Sequence, residues 1–172
     1  MKRLILAATL TSAIALAGCK KEPPQVDLDP PQSVTPTPTG TTGAVDNTPQ
    51  PGSQTHFAAA MQGADTIYFD TDRYNIDGED QAALRRQAEY LLQYPGATAT
   101  VEGHADERGT RDYNLALGER RANAARAYLV SLGVPENRIR MVSYGEERPR
   151  ATGSSESAWA QNRRAVTVMI SR

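Results

Sequence analysis

The period of the apolar residues changes several times along this chain, and each change predicts a new element. Ile67 and Phe69 alternate with Thr66, Tyr68 and Asp70, the two-residue rhythm of a strand with one covered face. Asp77-Gly78-Glu79-Asp80 then offers helix-start chemistry, and Leu84, Ala88, Leu91 and Leu92 mark one helical face until Pro95-Gly96 stops it. Thr98 to Glu102 predicts a second strand, which leads into a charged loop. Thr110 or Asp112 can cap a long helix whose face carries Leu117, Ala124, Ala125, Tyr128, Leu129 and Leu132. Gly133 ends that helix, with Pro135 just beyond. A third strand is expected over Ile139 to Tyr144, a polar loop from Glu146 to Glu156, and a short helical piece around Trp159. Val166, Val168 and Ile170 alternate as a final strand.

Strands separated by helices need crossover connections, so the sheet should be partly parallel. The strands alternate instead of being apolar throughout, which argues for one covered face. The expected class is α/β: a two-layer sandwich of a mixed β-sheet with helices packed on one face.

The pattern disappears before Ala64. From Lys20 to about Thr55 the chain is Pro, Thr, Gly, Gln and Ser, with no periodic apolar face to bury, which predicts a disordered tether. Further back, Met1-Lys2-Arg3 precedes an apolar run from Leu4 to Ala17. That run falls short of the about 20 residues a spanning helix needs, but it fits a secretory signal. It ends Leu16-Ala17-Gly18-Cys19, and Cys19 is the only cysteine, so no internal disulfide can form. Leu-Ala-Gly-Cys resembles the lipobox of bacterial lipoproteins. The resemblance implies lipidation at Cys19, with two or three acyl chains making a lasting anchor. Lys20 stands where inner-membrane retention signals carry Asp, which implies the outer membrane. The expected division is a signal peptide over 1–18, a lipidated N-terminus and Pro/Thr-rich tether over 19–63, and one domain over 64–172.

Candidate chemistry concentrates in GHADERGTRDYNLALGERRA, Gly103 to Ala122. Asn114, Leu117 and Arg121 fall at i, i+3 and i+7 and share one helical face near the loop that carries Asp106. Arginine presents a planar fork to a carboxylate, and Asp106 can accept hydrogen bonds from an ammonium group. Spacing alone leaves two readings open: the two residues pair with each other, or together they grip a zwitterion. Glu107 and Arg108 can equally pair locally or touch a ligand. With only His56 and His104 available and the sole cysteine at the lipid position, no metal site is expected. His104 reads as a strand-end residue that positions the loop, and Trp159 as a packing residue. A formal net charge of −1 gives no electrostatic footprint for nucleic acid.

GHADERGTRDYNLALGERRA, VSYGEERP and AQNRRAV together resemble the peptidoglycan-associated lipoproteins, members of the OmpA-like C-terminal domain family, over Tyr68 to about Val168. The resemblance implies a β-α-β-α-β-β domain, no enzymatic activity, no cofactor, and non-covalent binding of diaminopimelate in the peptidoglycan stem peptide. It gives Asp106 the ligand's amino group and Arg121 its carboxylate. Leu117 falls at a ligand-packing position, Asp72 at a second acidic contact, and Thr71 where Phe or Leu is frequent. Asn114 and Asn162-Arg163-Arg164 are implied to order the site or its back wall. The implied partners are peptidoglycan, the outer membrane through Cys19, and TolB, with TolA as a further one. The implied role is a tether between outer membrane and wall in the Tol–Pal system, serving envelope integrity and outer-membrane constriction at division, with the domain in the periplasm. Two alternatives stand beside it: a cell-wall hydrolase using the carboxylates of Asp106 and Glu107, and an OmpA-like wall anchor outside the Tol system.

Overall fold

A computed structural model describes residues 48–170. The expected signal peptide, Cys19 and most of the expected tether lie outside the described residues. The elements run α1 (Gln54–Met61), β1 (Thr66–Tyr68), α2 (Gly78–Gln93), β2 (Ala99–His104), α3 (Arg111–Ser131), a 3-10 turn (Glu136–Arg138), β3 (Ile139–Gly145), α4 (Glu156–Asn162) and β4 (Arg164–Met169). The strands lie in the order β1-β4-β2-β3. β2 and β3 are parallel, and β4 runs antiparallel to both β1 and β2. Leu84, Ala88 and Leu91 of α2, with Ala122, Ala125 and Leu129 of α3, share a single core with the covered face of the sheet. The expected two-layer α/β sandwich is the observed fold.

Local chemistry explains the helix starts. Asp77 caps α2 by accepting from the Asp80 N–H at 2.9 Å. Thr110, not Asp112, caps α3, accepting from the Tyr113 N–H at 3.3 Å. Asp112 lies in the first turn, where its charge suits the helix dipole.

The tether boundary at residue 63 needs correction. Phe57 and Met61 of α1 are buried in the core at 0% and 3% exposure. Ser53 caps α1, the His56 Nδ1 lies 2.8 Å from the Tyr90 hydroxyl, and the Gly52 N–H donates to the same hydroxyl at 3.1 Å. An eight-residue helix with only two inward residues is too short to display a helical period, so composition outweighs it in the sequence. Phe57 nonetheless brings a large apolar ring.

The phase of β4 is also opposite to expectation. Ala165, Thr167 and Met169 face the core beside Gly103, Val101 and Ala99, whereas Val166 and Val168 lie half-buried on the outer face. Thr167 is inward because Gln87 meets it: the hydroxyl donates to Gln87 Oε1 at 2.6 Å, and Gln87 Nε2 donates to the Ala64 carbonyl at 2.6 Å. A satisfied polar pair breaks the hydrophobic alternation without cost to the core.

Two glycines set α3 directly on the strand ends. A Cβ on Gly103 would sit 1.8 Å from the Gly118 carbonyl oxygen, and one on Gly118 would sit 2.4 Å from the Ser143 hydroxyl. Backbone therefore meets backbone at this crossing, and the first half of α3 overhangs the loop after β2.

Removing the Phe57 ring should leave a cavity and cost about 3 kcal/mol or more, read as a lower urea midpoint for Phe57→Ala. A tether residue would cost nothing.

Asp80 supplies a pH test. Burial pushes its carboxyl up to about 6 against the pull of the Tyr68 N–H, and the neighbouring Asp77 and Glu79 charges add to the rise. The folded chain thus holds a proton that the unfolded chain releases near 3.8. Stability should fall as pH rises from about 4 to about 6 for this group. Asp80→Asn, measured by urea unfolding across that window, should flatten the fall.

Candidate functional site

The loop after β2 is pinned before it presents any charge. Ala105 N–H donates to the Gly145 carbonyl at 2.8 Å, extending the parallel pairing by one residue. Asn114 Nδ2 then reaches the Asp106 carbonyl at 3.1 Å, the Arg108 carbonyl at 3.0 Å and the Glu146 carboxylate. Asn114 is 2% exposed, and its amide is committed to holding the loop.

The Asp106 carboxylate accepts four hydrogen bonds. Oδ1 takes the Arg108 backbone N–H at 3.1 Å and Nε at 3.0 Å; Oδ2 takes Arg108 Nη2 at 2.7 Å and Arg163 Nη1 at 3.4 Å. Burial raises its pKa, but the bonds and charge of Arg108, with Arg163 helping, outweigh burial and hold Asp106 below the usual carboxylate range.

Arg121 is 0% exposed and bonds to three backbone carbonyls: Nε to Arg73 at 2.9 Å, Nη1 to His104 at 2.8 Å and Nη2 to Asp70 at 3.0 Å. Its Cζ lies 5.2 Å from the centre of the Phe69 ring. Burial lowers its pKa to about 10, which still leaves it charged at neutral pH. The ion pairs of Asp106 are with Arg108 and Arg163, so mutual pairing of Asp106 and Arg121, one of the two readings left open by spacing, is not what the fold builds.

The remaining N–H on each terminal nitrogen of Arg121 is free of those three bonds, and the side chain borders a cavity of about 310 Å³. That cavity brings together all six residues singled out in the sequence: Thr71, Asp72, Asp106, Asn114, Leu117 and Arg121. Leu117 gives it an apolar wall. Asp72 sits at φ 55°, a left-handed conformation that Asp tolerates better than most residues, and its carboxylate accepts from the Tyr113 hydroxyl at 3.2 Å. A larger hollow of about 370 Å³ beside Tyr68 and Gln161 lacks both Asp106 and Arg121.

Tyr113 was missed by sequence reasoning, although it falls four residues before Leu117 and eight before Arg121 on the same helical face. Arg108 does pair locally, as one reading allowed, but it also borders the cavity. Arg163 forms the back wall through Phe69 O at 2.9 Å and Glu156 at 2.8 Å. Trp159 packs against Arg108, whose Cζ is 4.2 Å from the ring centre, and donates its indole N–H to Glu107 at 3.1 Å. His104 supports the loop through its carbonyl, the acceptor of Arg121. Its buried ring is driven down to about 4 by burial and by the Arg164 and Arg148 charges. The imidazole is therefore neutral at pH 7, and Glu102 at 3.7 Å is a neighbour without an ion pair.

A mixed four-stranded sheet with a loop carboxylate, a buried helical arginine and an apolar wall defines a particular kind of domain. The chain belongs to the OmpA family, whose sequence profile matches residues 68–163. It is 58% identical over 119 residues to the peptidoglycan-associated lipoprotein of Rhizobium meliloti, covering 69% of this chain and 66%, just under two thirds, of that one. It is 49% identical over 162 residues to the peptidoglycan-associated lipoprotein of Agrobacterium fabrum, covering 93% of this chain and 84% of the relative. Among solved structures, the peptidoglycan-associated lipoprotein from Burkholderia pseudomallei superposes with a TM-score of 0.60 at 46% identity, covering 61% of this chain and 89% of that one. The C-terminal domain of Helicobacter pylori MotB shares the fold at 22% identity and a TM-score of 0.59, over 63% and 85% of the two chains.

Replacing Arg121 strips the donor from three carbonyls, one at the end of β2 and two on the turn after β1. Arg121→Met should cost about 3 kcal/mol or more in urea unfolding, because the buried His104 carbonyl loses its guanidinium donor and the turn after β1 is untied from α3.

Proposed function

We propose that this protein is an outer-membrane lipoprotein that binds diaminopimelate-containing peptidoglycan non-covalently and ties the outer membrane to the wall. One observation carries the reading: a single cavity offers an acidic acceptor, Asp106, a buried guanidinium, Arg121, and an apolar wall, Leu117. An amino acid centre at the end of a stem side chain has the matching parts. Its ammonium goes to Asp106, its carboxylate to the free N–H groups of Arg121, and its methylenes to Leu117. Asp72 gives the ammonium a second acidic neighbour, and Thr71 borders it. Asn114 takes part by holding the loop.

The relatives named as lipoproteins support lipidation at Cys19, a signal peptide over 1–18 and a periplasmic place for the domain. Among the described residues, no helix is long and apolar enough to cross a membrane. The likeness to peptidoglycan-associated lipoproteins over most of the chain also supports a place in the Tol–Pal system, with TolB and TolA as partners. Envelope integrity and outer-membrane constriction at division are the roles that follow.

The hydrolase alternative is weaker on electrostatic grounds. Glu107 accepts from the Ser154 hydroxyl at 2.6 Å and from Trp159, bonds that pull it below the usual range, and Asp106 is pulled down too. A general acid for glycoside cleavage needs a raised carboxyl.

Purified sacculi test both readings. The wild-type chain should co-sediment without releasing soluble fragments. Asp106→Asn, which keeps the shape and removes the charge, should stay folded and bind about tenfold more weakly or worse. Undiminished binding by folded Asp106→Asn would refute the assignment of the ammonium contact, and fragment release would favour hydrolysis.

A further inference from the structure

The hydrogen bonds of Asp106 set a condition on what can reach it. A carboxylate has about four lone-pair sites, and four donors already use them. An ammonium group therefore gains Asp106 only when a resident donor gives way. The backbone N–H of Arg108 is fixed by the loop. Arg163 is held elsewhere, by Phe69 and Glu156, and its side chain is 8% exposed. The Arg108 side chain is 38% exposed and has other neighbours at hand. Glu156 is 4.0 Å from its Nη1, and the Trp159 ring lies beneath its guanidinium. Thr71 Oγ1 accepts from its Nη2 at 3.2 Å on the cavity side.

We infer that the Arg108 guanidinium is an internal cation in the ammonium subsite of Asp106, held by Thr71, and that a ligand's ammonium must displace it toward Glu156. Arg108 is thereby a specificity-determining residue: a ligand with carboxylates and no cation cannot take its place. The inference rests on the reading of Asp106 as ammonium acceptor. Thr71 also acquires a role, since an apolar residue there would hold Arg108 less firmly.

The chain's only tryptophan, Trp159, reports the movement because Arg108 lies over its ring. The full chain is titrated with meso-diaminopimelate, and with pimelate, which has the same carbon skeleton and no ammonium. Binding is followed by calorimetry and by Trp159 emission. For the wild-type chain, diaminopimelate should change the emission saturably and pimelate should not. Arg108→Ala should bind diaminopimelate about threefold to tenfold more tightly, the range set by removing a half-exposed ion pair, and its emission should no longer respond. Thr71→Val should tighten binding by a smaller factor. Circular dichroism checks the fold, and Arg108→Gln is read in the same way if Arg108→Ala unfolds. Equal or weaker binding by the folded Arg108 variants, with the wild type still binding, overturns the displacement and leaves the proposed function standing. So does an equal emission change with pimelate. No binding of diaminopimelate by the wild-type chain overturns both.

Discussion

The buried guanidinium of Arg121 joins fold and site. Its three carbonyl partners belong to the end of β2 and to the turn after β1, with Asp70 and Arg73 both on that turn. A charge with no exposure costs several kcal/mol to desolvate, and this one is tolerated because carbonyl dipoles surround it and Asp106 and Asp72 add favourable fields. Removing the arginine would release the turn that carries Thr71 and Asp72 as well as the loop that carries Asp106. The same side chain therefore assembles the cavity and supplies one of its charges. A mutational loss of binding at Arg121 would mix two effects, which makes Asp106 the cleaner probe of recognition.

The guanidinium can serve both segments only because α3 approaches the sheet so closely. Gly103 and Gly118 remove the side chains that would otherwise separate helix from strand, and Ser143 locks the contact by donating to the Leu115 carbonyl at 2.7 Å. The long helix thus enters at a fixed height. Asn114, Leu117 and Arg121 then point one behind another into the space beneath the loop, following helical geometry alone. Stability at this crossing and precision at the site are the same requirement.

Much of this was legible in the sequence, where the relevant signal was local. The start of α2 within Asp77-Gly78-Glu79-Asp80 and the end of α3 near Gly133 follow from local cap and stop residues, and the shared face of Asn114, Leu117 and Arg121 from short-range periodicity. Other features depend on residues far apart. Phe57 looks like part of a polar tether until Tyr90 and the core meet it. Thr167 looks exposed until Gln87, 80 residues earlier, satisfies its hydroxyl. The partner of Asp106 could not be chosen by spacing, because Arg108 is two residues away in the chain and Arg163 is 57. Spacing does fix that Arg121 faces the loop. It does not fix that backbone carbonyls consume three of its donors.

If Asp106 accepts a ligand's ammonium as proposed, the charges of the site favour exchange over simple addition. The cavity lining balances Asp72 and Asp106 against Arg108 and Arg121, and Arg163 reaches Asp106 from behind it. On the same proposal, a ligand's carboxylate meets a guanidinium whose desolvation has already been offset within the fold. Its ammonium finds a carboxylate already in use, so the gain there is the difference between two ion pairs. Binding of the proposed kind would be selective for a zwitterion but modest in strength at each end. In the proposed role, such balance would suit a tether that holds at many points along a wall while each single attachment can let go.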